Sequence, residues 1–118
     1  MKKLISLVII SIMMASTVSF AQNKTETIKI KTSGQCGQCK DRMEKAMAYE
    51  KGVVKSNFNV DDKILTVEYK VGKTTPDKIR KAINAVGYDA DEMLADSKAY
   101  QNLPPCCKKP DDPDHVGH

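Results

Sequence analysis

Tryptophan is absent from this sequence, and tyrosine and phenylalanine together supply only six aromatic side chains in 118 residues. A large aromatic core is therefore excluded. Glycine occurs six times and proline five, too few for a collagen-like or low-complexity chain. No apolar run reaches the roughly 20 residues a helix needs to cross about 30 Å of hydrocarbon. Charge of one sign is also scarce: 19 basic residues face 15 acidic ones, for a net +4, with the lysines spread along the whole chain. Without a concentrated basic face or aromatics to stack on bases, nucleic acid is not an expected partner. The length allows one domain with a tail. A long catalytic cleft is hard to build at this size, so a binding or carrier module, not an enzyme, is expected.

The amino end carries an export pattern. Lys2 and Lys3 precede an uncharged stretch of 12 residues from Leu4 to Ala15, and Ser19-Phe20-Ala21 places small residues where a signal peptidase cuts. Residues 1–21 are read as a signal peptide. The mature chain of 97 residues then starts at Gln22 with a net charge of +2. It is expected in the periplasm or outside the cell, as a monomer with no membrane span after signal removal. No cysteine lies at the cleavage point, so a lipid anchor is not indicated.

Residues 22–94 form the predicted domain. Thr27 to Thr32 alternates polar and apolar side chains, the pattern of a half-buried strand. Ser33-Gly34-Gln35 breaks it. From Lys40 to about Glu50, Met43, Ala46 and Met47 share one helical face. Val54, Ser56, Phe58 and Val60 alternate in a second strand, Asp61-Asp62 signals a turn, and Leu65, Val67 and Tyr69 alternate in a third. Thr75-Pro76-Asp77 supplies a hydroxyl cap, a proline at the first helical position and an acid in the first turn. Ile79, Ile83 and Val86 line that helix, and Gly87 ends it. A short strand over residues 89–93 completes the order βαββαβ. The expected fold is α+β: a ferredoxin-like sandwich in which two helices cover one face of a four-stranded antiparallel sheet. Residues 95–118 read as an irregular tail rich in Cys, Pro, Asp and His. Within it His115 and His118, beside Asp111, Asp112 and Asp114, are expected to be solvated.

The chemistry lies in Cys36-Gly37-Gln38-Cys39. Two thiols three positions apart, at the junction of a strand and a helix, can aim their sulfurs at one point. Unpaired N–H groups and the positive end of the helix dipole favour thiolates there. Soft cations prefer such ligands, and Cu(I) and Hg(II) both qualify on that argument, with Cu(I) expected first and Hg(II) second. Zn(II) ranks lower, because a structural zinc site wants four ligands in a closed tetrahedron. Both cysteines are expected at the exposed edge of the sheet, where Cys→Ser substitution costs little stability. Met43 and Met47, at helical spacing, are expected to fill the core and not to bind metal.

The run Ser33-Gly34-Gln35-Cys36-Gly37-Gln38-Cys39 after a first strand resembles the metal loop of the heavy-metal-associated domain, the fold of copper chaperones and periplasmic mercury-binding proteins. Gly87-Tyr88-Asp89-Ala90 resembles that family's second loop, which approaches the metal from the other side. The likeness extends over residues 25–94 and includes Gly52-Val53 and the helix start at Thr75. It implies Cys36 and Cys39 as metal ligands, with Tyr88 packed beside them. It also implies a soft-metal carrier, exported according to the signal pattern, that hands its cargo by thiolate exchange to a metal transporter or other acceptor with a Cys-rich site. One departure is visible. The family commonly has Gly-Met-x-Cys, with the methionine tucked under the loop, whereas Ser33 and Gly34 stand in those places here. A loop anchored less firmly is the expectation.

An exported Cys-x-x-Cys can also be a redox pair, so a periplasmic thiol-disulfide protein using Cys36 and Cys39 is the alternative. Gln35 before Cys36, where thioredoxin-like proteins want an aromatic residue, counts against it. Adjacent Cys106 and Cys107 cannot easily bridge each other. Either they reach the metal loop, as additional ligands or disulfide partners, or they dangle and meet a partner protein.

Overall fold

The computed structural model describes residues 24–116. The export-signal reading of residues 1–21 and the position of His118 lie outside them.

Three strands form one antiparallel sheet in the order β1-β3-β2: β1 is Thr25–Lys31, β2 is Val53–Asn59 and β3 is Ile64–Lys70. Helix α1 is Gly37–Tyr49 and helix α2 is Pro76–Ala85. The register places Ile30 and Phe58 on either side of Leu65, and Ile28 and Ser56 on either side of Val67. Period-two alternation sends these side chains to the helix-covered face. Thr27, Lys29, Lys55, Asn57, Thr66 and Glu68 go to the other. Leu65, Val67 and Ile30 have no exposed surface, nor do Met43 and Met47 from α1 or Ile79 and Ile83 from α2. Each such apolar side chain contributes roughly 1.5–3 kcal/mol on burial. Both helix stripes fall where the sequence places them.

The β2 alternation holds at Ser56 and Phe58 and fails at Val54. Val53 pairs with Tyr69 and Lys55 with Glu68, which leaves Val54 as the extra residue of a bulge. Val53 therefore packs on the core and Val54 stands 47% exposed. β2 lies at the sheet edge. Glu44 accepts the Phe58 N–H at 2.8 Å, and Lys40 Nζ donates to the Phe58 carbonyl at 3.0 Å. Two side chains of α1 thus satisfy backbone groups that an edge strand would leave open.

The fourth strand is reduced to a bridge. Ala90 pairs with Thr32 beside β1 and then with Met93, so the described residues contain three strands and not the expected four. The reason is local. Asp91 adopts a φ of 52°, its carboxylate accepts the Lys31 N–H at 3.0 Å, and Arg80 Nε holds its other oxygen at 2.9 Å. The chain reverses at that point before a strand can extend.

Residues 95–116 are not an irregular appendage. A short helix α3, Ser97–Gln101, is capped by Asp96, whose side chain accepts the Ala99 N–H at 2.9 Å. A single 3-10 turn follows at Pro105–Cys107. Leu103 and Cys107 are buried with the domain core. Gly87 makes this docking possible. Its φ is +105°, and a Cβ there would sit 2.9 Å from the Ala99 carbonyl oxygen. Lys109 Nζ reaches Asp89 at 2.7 Å, and the Tyr100 hydroxyl donates to Asp112 at 2.6 Å while accepting the Lys109 N–H at 3.1 Å.

Candidate metal centre

Cys36 ends the loop after β1 in extended geometry and occupies the N-cap position of α1. Its carbonyl accepts the first helical hydrogen bond, from Lys40 N at 3.1 Å. Cys39 falls in the first turn, on the same stripe as Met43 and Met47, so it faces the core. The two sulfurs lie 3.5 Å apart. Neither is at an exposed edge: Cys36 retains 8% of its surface and Cys39 none. That overturns the expected cheapness of serine substitution, because helical periodicity makes Cys39 the first member of the buried stripe.

The loop is firmly held, contrary to what its departure from the family pattern suggests. Ser33 Oγ accepts the Asp89 N–H at 2.8 Å, tying the metal loop to the second loop. Gly34 N donates to Thr32 Oγ1 at 3.1 Å, and Lys63 Nζ donates to the Gln35 carbonyl at 3.0 Å. A side chain on Gly34 has no room, since its Cβ would lie 2.6 Å from Met43 Cε and 2.9 Å from Phe58 Cζ. Met43 reaches in from α1 and fills the space under the loop.

Tyr88 is fully buried beside the thiols, and its hydroxyl has no hydrogen-bond partner of acceptable geometry. Burial, followed by the influence of the Cys39 and Cys107 sulfurs, holds its pKa far above the ordinary phenol value.

The tail brings the remaining cysteines to the same place. Cys106 Sγ lies 3.4 Å from Cys36 Sγ, and Cys107 Sγ lies 3.7 Å from it. The two tail sulfurs are 3.9 Å apart, and Cys106 also donates to Gln38 Oε1 at 3.4 Å. All four cysteines are free thiols. Their acidities separate. Burial opposes ionisation of Cys36, but the nearby Cys39 backbone N–H and the thiols of Cys106, Cys39 and Cys107 outweigh it and lower its pKa to about 7. Burial and then Cys39 push the Cys107 thiol well up. The Cys106 thiol is raised by its contact with Cys36 and by burial. His115 is not part of the cluster: its Nδ1 lies 2.7 Å from the Lys108 carbonyl oxygen.

Comparison with known proteins places this arrangement. The copper chaperone CopZ of Staphylococcus epidermidis is 36% identical over 61 residues, 51% of this chain and 90% of the chaperone. Residues 35–89 match the heavy-metal-associated domain. The chain belongs to that family. Among solved heavy-metal-associated domains, a CopZ metallochaperone superposes with a TM-score of 0.53 at 27% identity, over 55% of this chain and 98% of that one. Oxidized MerP from Ralstonia metallidurans CH34 gives 0.55 at 26% identity, over 58% and 96%. The N-terminal domain of a potential copper-translocating P-type ATPase from Bacillus subtilis, in the Cu(I)-loaded state, gives 0.55 at 26%, over 58% and 86%. This chain is thus a metal-binding, chaperone-like member of the heavy-metal-associated family. Cys106 and Cys107 lie beyond the stretch that matches the family.

Sequence reasoning missed Ser33, Lys63 and Gln38 as residues that position the site. Nothing in the order of residues announces them, because each acts through a hydrogen bond to a distant part of the chain.

Proposed function

We propose that this protein is an exported carrier of a soft metal ion, Cu(I) first and Hg(II) second, held between Cys36 and Cys39. The observation that carries the reading is the pair of sulfurs 3.5 Å apart at the start of α1. There the first-turn N–H groups and the helix dipole favour thiolate over thiol. Soft thiolates match a soft cation, and a site of two ligands leaves the ion open to a third thiolate from an acceptor. Release follows from the same chemistry. A thiolate of the acceptor forms a new sulfur–metal bond as one bond to this chain breaks, and the freed thiolate takes up a proton from solvent. The resemblance to a Cu(I)-loaded domain of a potential copper-translocating P-type ATPase supports an acceptor domain of the same fold. Residues 1–21, with their two lysines and apolar run, support delivery to the periplasm or the exterior.

The test is a Cu(I) titration against a competing chelator under reducing conditions, for the wild type and for Cys36→Ser and Cys39→Ala. Tight stoichiometric binding that each substitution abolishes supports the carrier. A wild type that binds no soft metal tightly but turns over disulfide substrates would replace it with the redox alternative.

A further inference from the structure

We propose that the C-terminal segment is a built-in lid on the metal site, with Cys106 and Cys107 supplying further thiolates that turn the open Cys36–Cys39 pair into a closed thiolate cage. The proposal rests on the carrier reading above and extends it from two ligands to three or four.

Distances carry it first. Cys36, Cys106 and Cys107 lie with their sulfurs mutually within 4.8 Å, and Cys39 Sγ is 3.5 Å from Cys36 Sγ. The separations of 3.4, 3.7 and 3.9 Å among Cys36, Cys106 and Cys107, and of 3.5 Å from Cys36 to Cys39, lie near about 3.8 Å, the edge of a tetrahedron built on metal–sulfur bonds of about 2.3 Å. The sulfurs of Cys36, Cys106 and Cys107 can close on one ion with little movement, whereas Cys39, outside that mutual set, must shift to join as a fourth. They are much farther apart than the roughly 2.05 Å of a disulfide.

Tyr88 is the second, independent observation. A fully buried hydroxyl without a partner is costly, and this one lies beside Cys39 and Cys107. Thiols are poor acceptors and metal-bound thiolates are good ones. The Tyr88 O–H is thus a donor held ready for the sulfurs of a loaded cage.

The third observation is that the lid is seated by contacts away from the metal. Gly87 leaves room for the Ala99 backbone, Leu103 is buried, and Lys109 pairs with Asp89 of the second loop. Asp89 in turn donates its N–H to Ser33 of the metal loop. Lid, second loop and metal loop therefore share one network.

Loading balances simply. Each thiol that joins replaces its S–H bond by a sulfur–metal bond and gives its proton to solvent. An acceptor must then displace the tail thiolates before it reaches Cys36 and Cys39, so the lid trades transfer rate for retention.

Sulfur coordination in the Cu(I)-loaded full-length protein, measured by X-ray absorption, tests the idea. The expected result is three or more sulfur neighbours in the wild type and two in Cys106→Ser/Cys107→Ala. The double variant should also bind Cu(I) more weakly against the chelator, by about tenfold or more, and surrender it faster. Cys107 is buried, so Cys106→Ser alone, at a half-buried position, guards against misfolding; it should lose one sulfur or lower the affinity. Two sulfur neighbours in the wild type, with affinity unchanged in both variants, overturn the lid and leave the carrier standing. A wild type that takes up no Cu(I) overturns both.

Discussion

Cys36 Sγ and Cys106 Sγ lie 3.4 Å apart although 70 residues separate them in sequence. Such a contact is not made by the domain alone. It requires the tail to leave the sheet at Asp91, form α3 against Gly87 and return across the end of α1.

Gly87→Ala should destabilise the protein by about 1–3 kcal/mol, since a side chain at φ +105° is strained. The added Cβ also meets the Ala99 carbonyl, so the damage should concentrate in the tail. Thermal melting gives the overall loss. Limited proteolysis should show faster cleavage between residues 95 and 116 than in the wild type, and equal cleavage would mean that Gly87 does not seat the tail.

Gly34→Met installs the residue that the family resemblance puts under this loop, yet it should destabilise this chain by roughly 1–3 kcal/mol through overpacking. The space is already filled by Met43 and Phe58. Combining it with Met43→Ala should recover part of the loss, and a double-mutant cycle in chemical denaturation reads the coupling. Additive effects would show that the two side chains do not compete.

The metal-free protein should show one thiolate titrating near pH 7, from Cys36, while Cys107 stays protonated well above that. Because the Cys36 pKa is depressed on folding, its contribution to stability is fully present above the unfolded thiol value and is lost as pH falls through about 7. Ultraviolet thiolate absorbance against pH follows the step, and it should vanish in Cys36→Ser. A first step near the ordinary cysteine value would contradict the placement of Cys36 against the Cys39 N–H and the neighbouring thiols.

Tyr88→Phe removes a buried hydroxyl that lacks a partner, so the metal-free protein should be no less stable, as thermal melting reads directly. Its Cu(I) affinity, in contrast, should fall by about 10-fold to 100-fold, the usual effect of losing a group that supports metal ligands. A less stable protein with unchanged affinity would make Tyr88 a packing residue only.

Much of the fold was legible because it is written in short periods. The Ile30, Leu65 and Val67 alternation and the Met43–Met47 and Ile79–Ile83 stripes each depend on neighbours a few positions away. Thr75 caps α2 as its sequence context implies, accepting the Lys78 N–H at 3.3 Å. The fourth strand was misjudged because Asp91 is captured by Arg80 and by Lys31 of β1, partners that no local pattern reveals. Val54 was misjudged because a bulge shifts alternation by one residue. The Cys36–Cys39 pair was visible from spacing and chemistry. The burial of Cys39, and the seat of Cys106 and Cys107 beside it, depend on how the chain crosses itself.

The most direct measurement is the metal content of the protein purified from its native cells under reducing conditions, by elemental analysis, beside that of Cys36→Ser/Cys39→Ala. The expected result is near-stoichiometric copper in the wild type and none in the variant. A wild type devoid of copper and mercury, or a variant that retains the metal in full, contradicts a soft-metal site at Cys36 and Cys39.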